Sequence, residues 1–362
     1  MKHLCLTLTL ITCGLLNAQE PVPGTQRVDR VFNEADVVCI CKTVVMEIQS
    51  EEALQKPPNV LRHMRAIIEV EDVFKPATLQ PGERLTVRFA KEFPGASRGD
   101  LPSLQPSKTA ILFLKKAADG SYEFSDKFIG ASHFKVLPKA SGGSGLARLE
   151  SVLLNILEQA PPGGPYHDDL RALYMLEGFP TLSPEGTSHM ARLANSPDPD
   201  IALAAIGTLL KTKRPQNVEL LRHHLDNYQG DKEPTSVWSV GAYLREIRDP
   251  EALPSLESLS GSRFTSVQLG AMDALRKIRS PSSAPALIQR LDDSNKVVRY
   301  QAVMTLAETF GKDREFAPSM ELFDQDPERY VSAWKLWWSQ QPRIAPRPTK
   351  KPDILKRNSR NP

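Results

Sequence analysis

The pattern of apolar and polar positions changes character once along the chain, near residue 140. Before that point, apolar residues form short continuous or alternating runs, as in residues 35–48, 64–75 and 108–116, and such runs are typical of β-strands. After it, apolar residues recur at intervals of three and four, as in residues 146–157, which places them in one stripe along a helix. The pattern therefore predicts a β domain followed by an all-helical domain.

The β part has further strand and turn signals. Residues 85–90 alternate apolar with polar, and residues 122–128 and 133–137 are candidate closing strands. Pro81-Gly82 and Asp119-Gly120 are typical turn dipeptides. About five or six short strands in one domain predict a small β-barrel or sandwich. The polar residues 19–30 that precede it predict a flexible lead-in.

The helical part contains a repeat. Residues 244–256 align without a gap with residues 275–287, 31 positions later, and residues 298–306 continue the register of residues 267–275. A period of this length indicates one helix-pair unit that buries its apolar face on the next unit. Ser or Asp followed by Pro marks several helix starts, since Pro at the first helical position lacks only an N–H that the helix leaves unpaired. The predicted pairs are 146–159 with 168–179, 184–194 with 199–211, 215–227 with 235–248, 250–260 with 264–279, 281–292 with 296–310, and 313–324 with 327–340.

One of these pairs carries a family resemblance. It runs Ala284-Pro285-Ala286-Leu287-Ile288, then Leu291-Asp292-Asp293, then Val297-Val298-Arg299-Tyr300-Gln301-Ala302-Val303. The Pro-bearing first helix, acidic turn and Val-Arg-x-x-Ala second helix resemble HEAT repeats, over about residues 183–340. The resemblance implies an α-solenoid that binds proteins on its concave face. It also implies a structural ladder between repeats in which Arg299 pairs with Asp293 or Asp292.

The β part has a second resemblance, carried by Phe32-Asn33-Glu34-Ala35-Asp36-Val37-Val38, by the strand containing Ile68-Glu69-Val70, and by Leu112-Phe113-Leu114. Residues 32–137 resemble a netrin-like domain, the OB-type barrel shared with tissue inhibitors of metalloproteinases. Those inhibitors present an N-terminal Cys to the protease metal and contain several disulfides. This chain departs from both features, so the resemblance does not support inhibition by that mechanism.

The chain ends carry targeting and charge signals. Lys2 precedes an apolar run from Leu4 to Leu16, which predicts a signal peptide over residues 1–18 and an exported protein, periplasmic or secreted. A buried N-terminal helix and a lipoprotein anchored at Cys13 are the alternatives. At the other end, residues 341–362 hold seven Lys or Arg against one Asp, a net +6, which is typical of a disordered tail. The tail is either fully solvated or makes a weak contact with an anionic surface.

Residues 138–145 include Ser141-Gly142-Gly143-Ser144-Gly145, which predicts a flexible linker between the barrel and a solenoid over residues 146–340.

Cleavage before Gln19 would leave two cysteines, Cys39 and Cys41, on one strand. Side chains at i and i+2 share a strand face about 6.6 Å apart, at the upper edge of disulfide spacing. The pair is therefore interpreted as two buried thiols, with a strained or intermolecular disulfide as the alternative.

No catalytic, phosphate-binding or metal-binding motif is present, so the sequence predicts neither an enzyme nor a cofactor. Trp334, Trp337 and Trp338 lie at i, i+3 and i+4, so they are either the core of the last helix pair or an aromatic patch that docks a partner. Basic residues without interleaved aromatics give no reason to expect nucleic acid. The hypothesis is an exported, non-enzymatic protein-interaction scaffold with an unknown partner. The alternative is a protease-inhibitor-like or protease-associated module acting through the barrel.

Overall fold

The computed structural model describes residues 28–54, 60–76, 78–93, 104–126, 131–134, 137–138, 145–159, 168–230 and 233–341. The predicted signal peptide over residues 1–18, Cys13, the Ser/Gly run at 141–144 and the tail from residue 342 lie outside the described residues. Those predictions stay predictions.

The N-terminal strands form a closed barrel. Their sheet order is β1-β2-β3-β5-β4-β6, and β1 also pairs with β4, which closes a ring of five strands with β6 attached to β4. All strand pairs are antiparallel except β3 with β5. The strands are β1 (Val37–Ala53), β2 (Val60–Lys75), β3 (Arg84–Phe93), β4 (Thr109–Lys116), β5 (Tyr122–Phe124) and β6 (Ala131–His133). The predicted β-barrel is confirmed.

The first strand is longer than predicted and extends beyond the barrel wall. Its pairing with β4 covers only Val37 to Lys42, whereas its pairing with β2 continues to Ala53. Bulges interrupt that longer ladder between Thr43 and Val45 and between Ile48 and Ser50. Within the described residues, the stretch Val44–Ala53 therefore has a strand neighbour on one side only.

A helix that the sequence analysis missed precedes the barrel. Residues 28–30 were predicted to belong to a flexible lead-in, but α1 (Val28–Glu34) is helical and buries Val28, Val31 and Phe32. The backbone N–H of Val28 donates to the carbonyl of Gly178, 2.8 Å away. The prediction was wrong because seven residues are too short to show helical periodicity, while their apolar positions are held by tertiary contacts.

The described residues after the barrel form helices and the turns that connect them, as predicted. The helices are α2 (Gly145–Gln159), α3 (Asp168–Glu177), α4 (Pro184–Leu193), α5 (Pro199–Leu210), α6 (Pro215–Asp226), α7 (Val237–Leu244), α8 (Leu253–Leu259), α9 (Thr265–Ile278), α10 (Ala284–Arg290), α11 (Lys296–Phe310), α12 (Asp313–Phe316), α13 (Met320–Gln325) and α14 (Pro327–Ser339). Short 3₁₀ turns, Pro250–Ala252 and Pro281–Ser283, lead into α8 and α10.

Side-chain caps explain why the helix starts were predictable. Ser183, Asp198 and Asp326 each accept a hydrogen bond from a backbone N–H in the first turn, with Pro as the next residue. The last pair differs from the prediction, because the expected helix 313–324 is divided into α12 and α13 near Pro318. Proline has no N–H to donate and restricts the residue before it, so it ends a helix there.

By its contacts, the chain divides into two compact units. The first contains the residues up to Thr212 together with Tyr228–Val240, and the second contains Lys213–Asn227 together with the residues from Gly241 onward. The first unit joins the barrel to helices α2 to α5. Arg148 of α2 forms an ion pair with Asp72 at 2.7 Å and donates to the carbonyl of Val73 at 2.9 Å.

Candidate interaction surface

A half-buried carboxylate links the second helices of three consecutive pairs in the second unit. Asp273 of α9 lies 3.3 Å from Arg245 Nε and 3.9 Å from Arg276 Nη2, and it accepts a hydrogen bond from Gln301 of α11. Burial raises the pKa of Asp273 above its ordinary value, although the charges of Arg245 and Arg276 oppose that change. The carboxylate therefore connects α9, α11 and the residues that follow α7 through ion pairs and a hydrogen bond.

Near Asp273 and its partners lies a row of exposed or half-exposed basic side chains at the ends of the second helices. We define the basic ridge as Lys213, Arg214, Arg248, Lys277 and Arg279, with Glu246 and Glu308 as its acidic members. Five cations against two carboxylates give it a net charge of +3.

Ion pairs connect the ridge from one helix pair to the next. Glu246 lies 3.1 Å from Lys277 Nζ and 4.0 Å from Lys213 Nζ. Glu308 lies 3.6 Å from Arg279 Nη2. The hydrogen bond from Lys277, more than the charges of Lys213 and Arg248, lowers the pKa of Glu246, and partial burial opposes this. The ridge therefore runs continuously along consecutive repeats.

The predicted ladder residues contact neighbouring repeats, but not each other. Arg299 forms its ion pair with Glu328 of α14 at 3.7 Å, and Asp292 pairs with Lys335. Asp293 accepts from Gln268 of α9 at 3.0 Å and from the backbone N–H of Asn295 at 2.8 Å. The predicted pairing of Arg299 with Asp293 or Asp292 is corrected: Gln268, 31 positions before Arg299, takes the Arg position in the preceding repeat and reaches Asp293.

The three tryptophans of α14 are divided between core and surface. Trp334 is fully buried, and its ring lies 5.2 Å from both Phe316 and Trp337. The ring of Trp337 lies 4.7 Å from that of Phe310 in a tilted arrangement, while Trp338 is half-buried. The geometry favours the core interpretation for Trp334 and Trp337.

The two cysteines are free thiols buried in the barrel core. A hydrogen bond with Cys39, together with burial, raises the pKa of the Cys41 thiol well above its ordinary value. A buried thiol with a raised pKa is a poor nucleophile and a poor metal ligand.

A metal-binding cluster and a membrane-spanning helix are both absent from the described part of the chain. Within it, no three His, Cys, Asp or Glu side chains are grouped closely enough to hold a metal ion. None of its helices is both long and apolar enough to cross a bilayer.

Comparisons with known proteins support the repeat. A family model described as HEAT repeats matches residues 257–336. That span starts in α8, ends in α14, and contains Asp273, Arg299 and three ridge residues, Lys277, Arg279 and Glu308. Among curated proteins, none matches the sequence.

Sequence reasoning found the repeat but missed the ridge. The signal was present in the alignment itself, because Arg245 and Arg248 fall 31 positions before Arg276 and Arg279. The sequence analysis used that register only for apolar positions, which decide how repeats stack. Whether the charged positions share one surface depends on loop geometry that the alignment does not contain.

Proposed function

We propose that this protein is an exported, non-catalytic scaffold that binds another protein through its HEAT-type helices. The observation that carries the proposal is the repeat itself, in register over two successive units and matched by the HEAT-repeat family over residues 257–336. HEAT repeats generally mediate protein–protein contacts, and stacked helix pairs offer extended surfaces for them.

We assign the surface formed by the second helices α7, α9 and α11, by the loops that follow them, and by Lys213 and Arg214, which precede α6 and of which Lys213 pairs with Glu246. It holds the Asp273 network and the basic ridge, so its charged side chains are already ordered by contacts inside the protein. Preordered side chains lose less conformational entropy when a partner binds. Export rests on the apolar run at residues 4–16, which resembles a signal peptide.

Crosslinking of the full chain in its native compartment, followed by mass spectrometry, tests this function. We expect links from residues 213–310 to one protein partner. Links confined to the barrel would contradict the assignment and favour the protease-associated alternative. Turnover of a substrate that a single substitution abolishes would show an enzyme instead.

A further inference from the structure

We propose that the basic ridge binds an extended acidic segment of a partner protein, with one carboxylate for each helix pair. This inference rests on the proposed scaffold function and names the chemistry of its partner. It is carried by the charge of the ridge, by its repeat spacing and by the backbone conformation of two of its residues.

The backbone conformation is the most specific of these observations. Lys213 and Arg279 have φ angles of 57° and 54°, in the left-handed region. Arg279 lies directly after α9, where the corresponding residue after α11 is Gly311, with φ 65°, and Lys213 lies three residues after the end of α5. A residue with a side chain costs about 1 kcal/mol more than Gly in this conformation. The chain thus places long cations at two positions where Gly would be more stable, which indicates a use for their charge.

The ridge also has charge that the described residues do not neutralise. Arg214 and Arg248 are exposed, and neither has a carboxylate within ion-pair distance among the residues that the structure describes. Arg279 is 64% exposed although it pairs with Glu308. These guanidinium groups have free donors for carboxylates, which they bind in a planar, two-pronged geometry.

The distance between successive helix pairs indicates which backbone conformation a bound peptide should have. The ridge cations follow α5 and α7 and lie at the end of α9. Second helices that stack on each other, as α9 and α11 do, lie about 8–10 Å apart, and we take the same interval between the cations of successive helix pairs. A polyproline II segment has three residues per turn and rises ~3.1 Å per residue, so every third side chain points the same way at ~9.3 Å intervals. Acidic residues at every third position of such a segment match one cation per helix pair.

The fixed carboxylates favour a peptide over a polyanion. Glu246 lies between Lys213 and Lys277, and Glu308 lies beside Arg279, so a continuous row of phosphates would face both carboxylates at close range. A peptide places uncharged residues between its carboxylates and avoids that repulsion. Nucleic acid would in addition require aromatic stacking partners, and the ridge contains none.

Fluorescence anisotropy with the full chain tests the proposal. The probe is a dye-labelled peptide of four Glu-Pro-Ala repeats, and its control has the same composition with the glutamates in adjacent pairs. We expect the regular peptide to bind the wild-type chain about fivefold more tightly than the shuffled one, a difference of roughly two exposed ion pairs. Equal binding of the two peptides would overturn the proposed register.

The decisive variant is the double substitution Lys213→Gly/Arg279→Gly, because Gly suits both backbone conformations and the fold should be kept. We expect an unchanged or higher melting temperature and about fivefold weaker binding of the regular peptide. The control Lys296→Ala/Arg329→Ala removes two exposed charges outside the ridge and should leave binding unchanged. Equal weakening by both variants would show only general charge attraction.

Two further outcomes separate this inference from the scaffold function. If the glycine variant crosslinks to the same partner at residues 213–310 with the same yield as the wild-type chain, the scaffold stands and the acidic-segment proposal falls. If phosphatidylserine vesicles or a single-stranded oligonucleotide bind the wild-type ridge while the regular peptide does not, the peptide proposal is overturned in favour of that polyanion.

Discussion

At the scale of single residues, two carboxylates of the second unit show opposite effects of their surroundings. Glu219 of α6 accepts hydrogen bonds from Arg222 and from Ser255 Oγ, the latter at 2.6 Å, and its pKa is lowered to about 2. Asp273 is buried enough that its pKa is raised despite two nearby arginines. Hydrogen bonding decides the first case and desolvation the second.

Glu219 gives a pH-dependent prediction. Its pKa is lower in the folded chain than its ordinary value of 4.5, so the stability that it contributes is present above pH 4.5 and is lost as the pH falls toward about 2. We expect an NMR titration to place its pKa near 2, and Glu219→Gln to reduce the loss of unfolding free energy over that range. A midpoint near 4.5 would show that the hydrogen bonds do not persist in solution.

A second residue-scale prediction separates core from surface in α14. Trp334 is fully buried among Phe310, Phe316 and Trp337, whereas Leu336 is 61% exposed. We expect Trp334→Ala to lower the free energy of unfolding by about 3–5 kcal/mol, because it leaves a large cavity. Leu336→Ala, the matched control on the same helix, should change it by less than about 0.5 kcal/mol. Urea denaturation followed by circular dichroism measures both, and similar losses would contradict the core assignment.

A third prediction concerns the cysteines. Because Cys39 and Cys41 are fully buried and the pKa of Cys41 is raised, we expect neither thiol to react with a thiol reagent at neutral pH until the barrel unfolds. Both should then react fully in denaturant without a reductant. If denatured protein reacts only after reduction, the residues form a disulfide and the thiol interpretation is wrong.

At the scale of elements, the sequence predicted helix boundaries well because caps and prolines act locally. Asp198-Pro199 and Asp326-Pro327 each mark the start of a helix within the local sequence. Contacts between elements were less predictable. The partner of Arg299 is Glu328, which no spacing rule indicated, since it depends on how α14 packs beside α11.

The contact between α7 and α9 gives a prediction at this scale. The two backbones approach so closely that a Cβ atom on Gly270 would lie 2.2 Å from the carbonyl oxygen of Gly241. We expect Gly270→Ala to destabilise the protein by about 1–3 kcal/mol, since the backbones must move apart. Gly207→Ala in α5 is the control, because its Cβ would find its nearest neighbour at 3.5 Å. That change should be neutral or slightly stabilising in thermal denaturation, as alanine favours helices.

At the scale of the whole molecule, the fold class was predictable and the grouping of its parts was not. Strand and helix periodicities separated a barrel from a helical array, and both are present. The sequence predicted a flexible boundary at residues 138–145, yet α2 to α5 group with the barrel in one unit. A Ser/Gly-rich linker predicts only that the connecting backbone can bend. It does not reveal contacts between the elements on either side, such as the ion pair of Arg148 with Asp72.

The contribution of the ion pair between Arg148 and Asp72 to stability can be tested by substitution. Both side chains are mostly buried, at 28% and 18% exposure, so Arg148→Ala would leave a carboxylate without its charge partner. We expect a loss of about 1–3 kcal/mol in the free energy of unfolding, measured by urea denaturation. The double variant Arg148→Met/Asp72→Leu should recover part of it, because it removes both charges. If the double variant lost as much unfolding free energy as the Arg148 and Asp72 substitutions lose separately, added together, the ion pair would not be the cause of the destabilisation.

The extension of β1 beyond the barrel has a consequence for solubility. Among the described residues, Val44–Ala53 has no strand partner along one side, and it exposes Val45 and Ile48, features from which neighbouring molecules can build intermolecular sheets. Two bulges interrupt this edge, and the acidic residues Glu47, Glu51 and Glu52 give it negative charge. These features act as gatekeepers against fibril formation. The barrel does not need this segment for closure, and we expect a smooth, uncharged edge in its place to aggregate more readily.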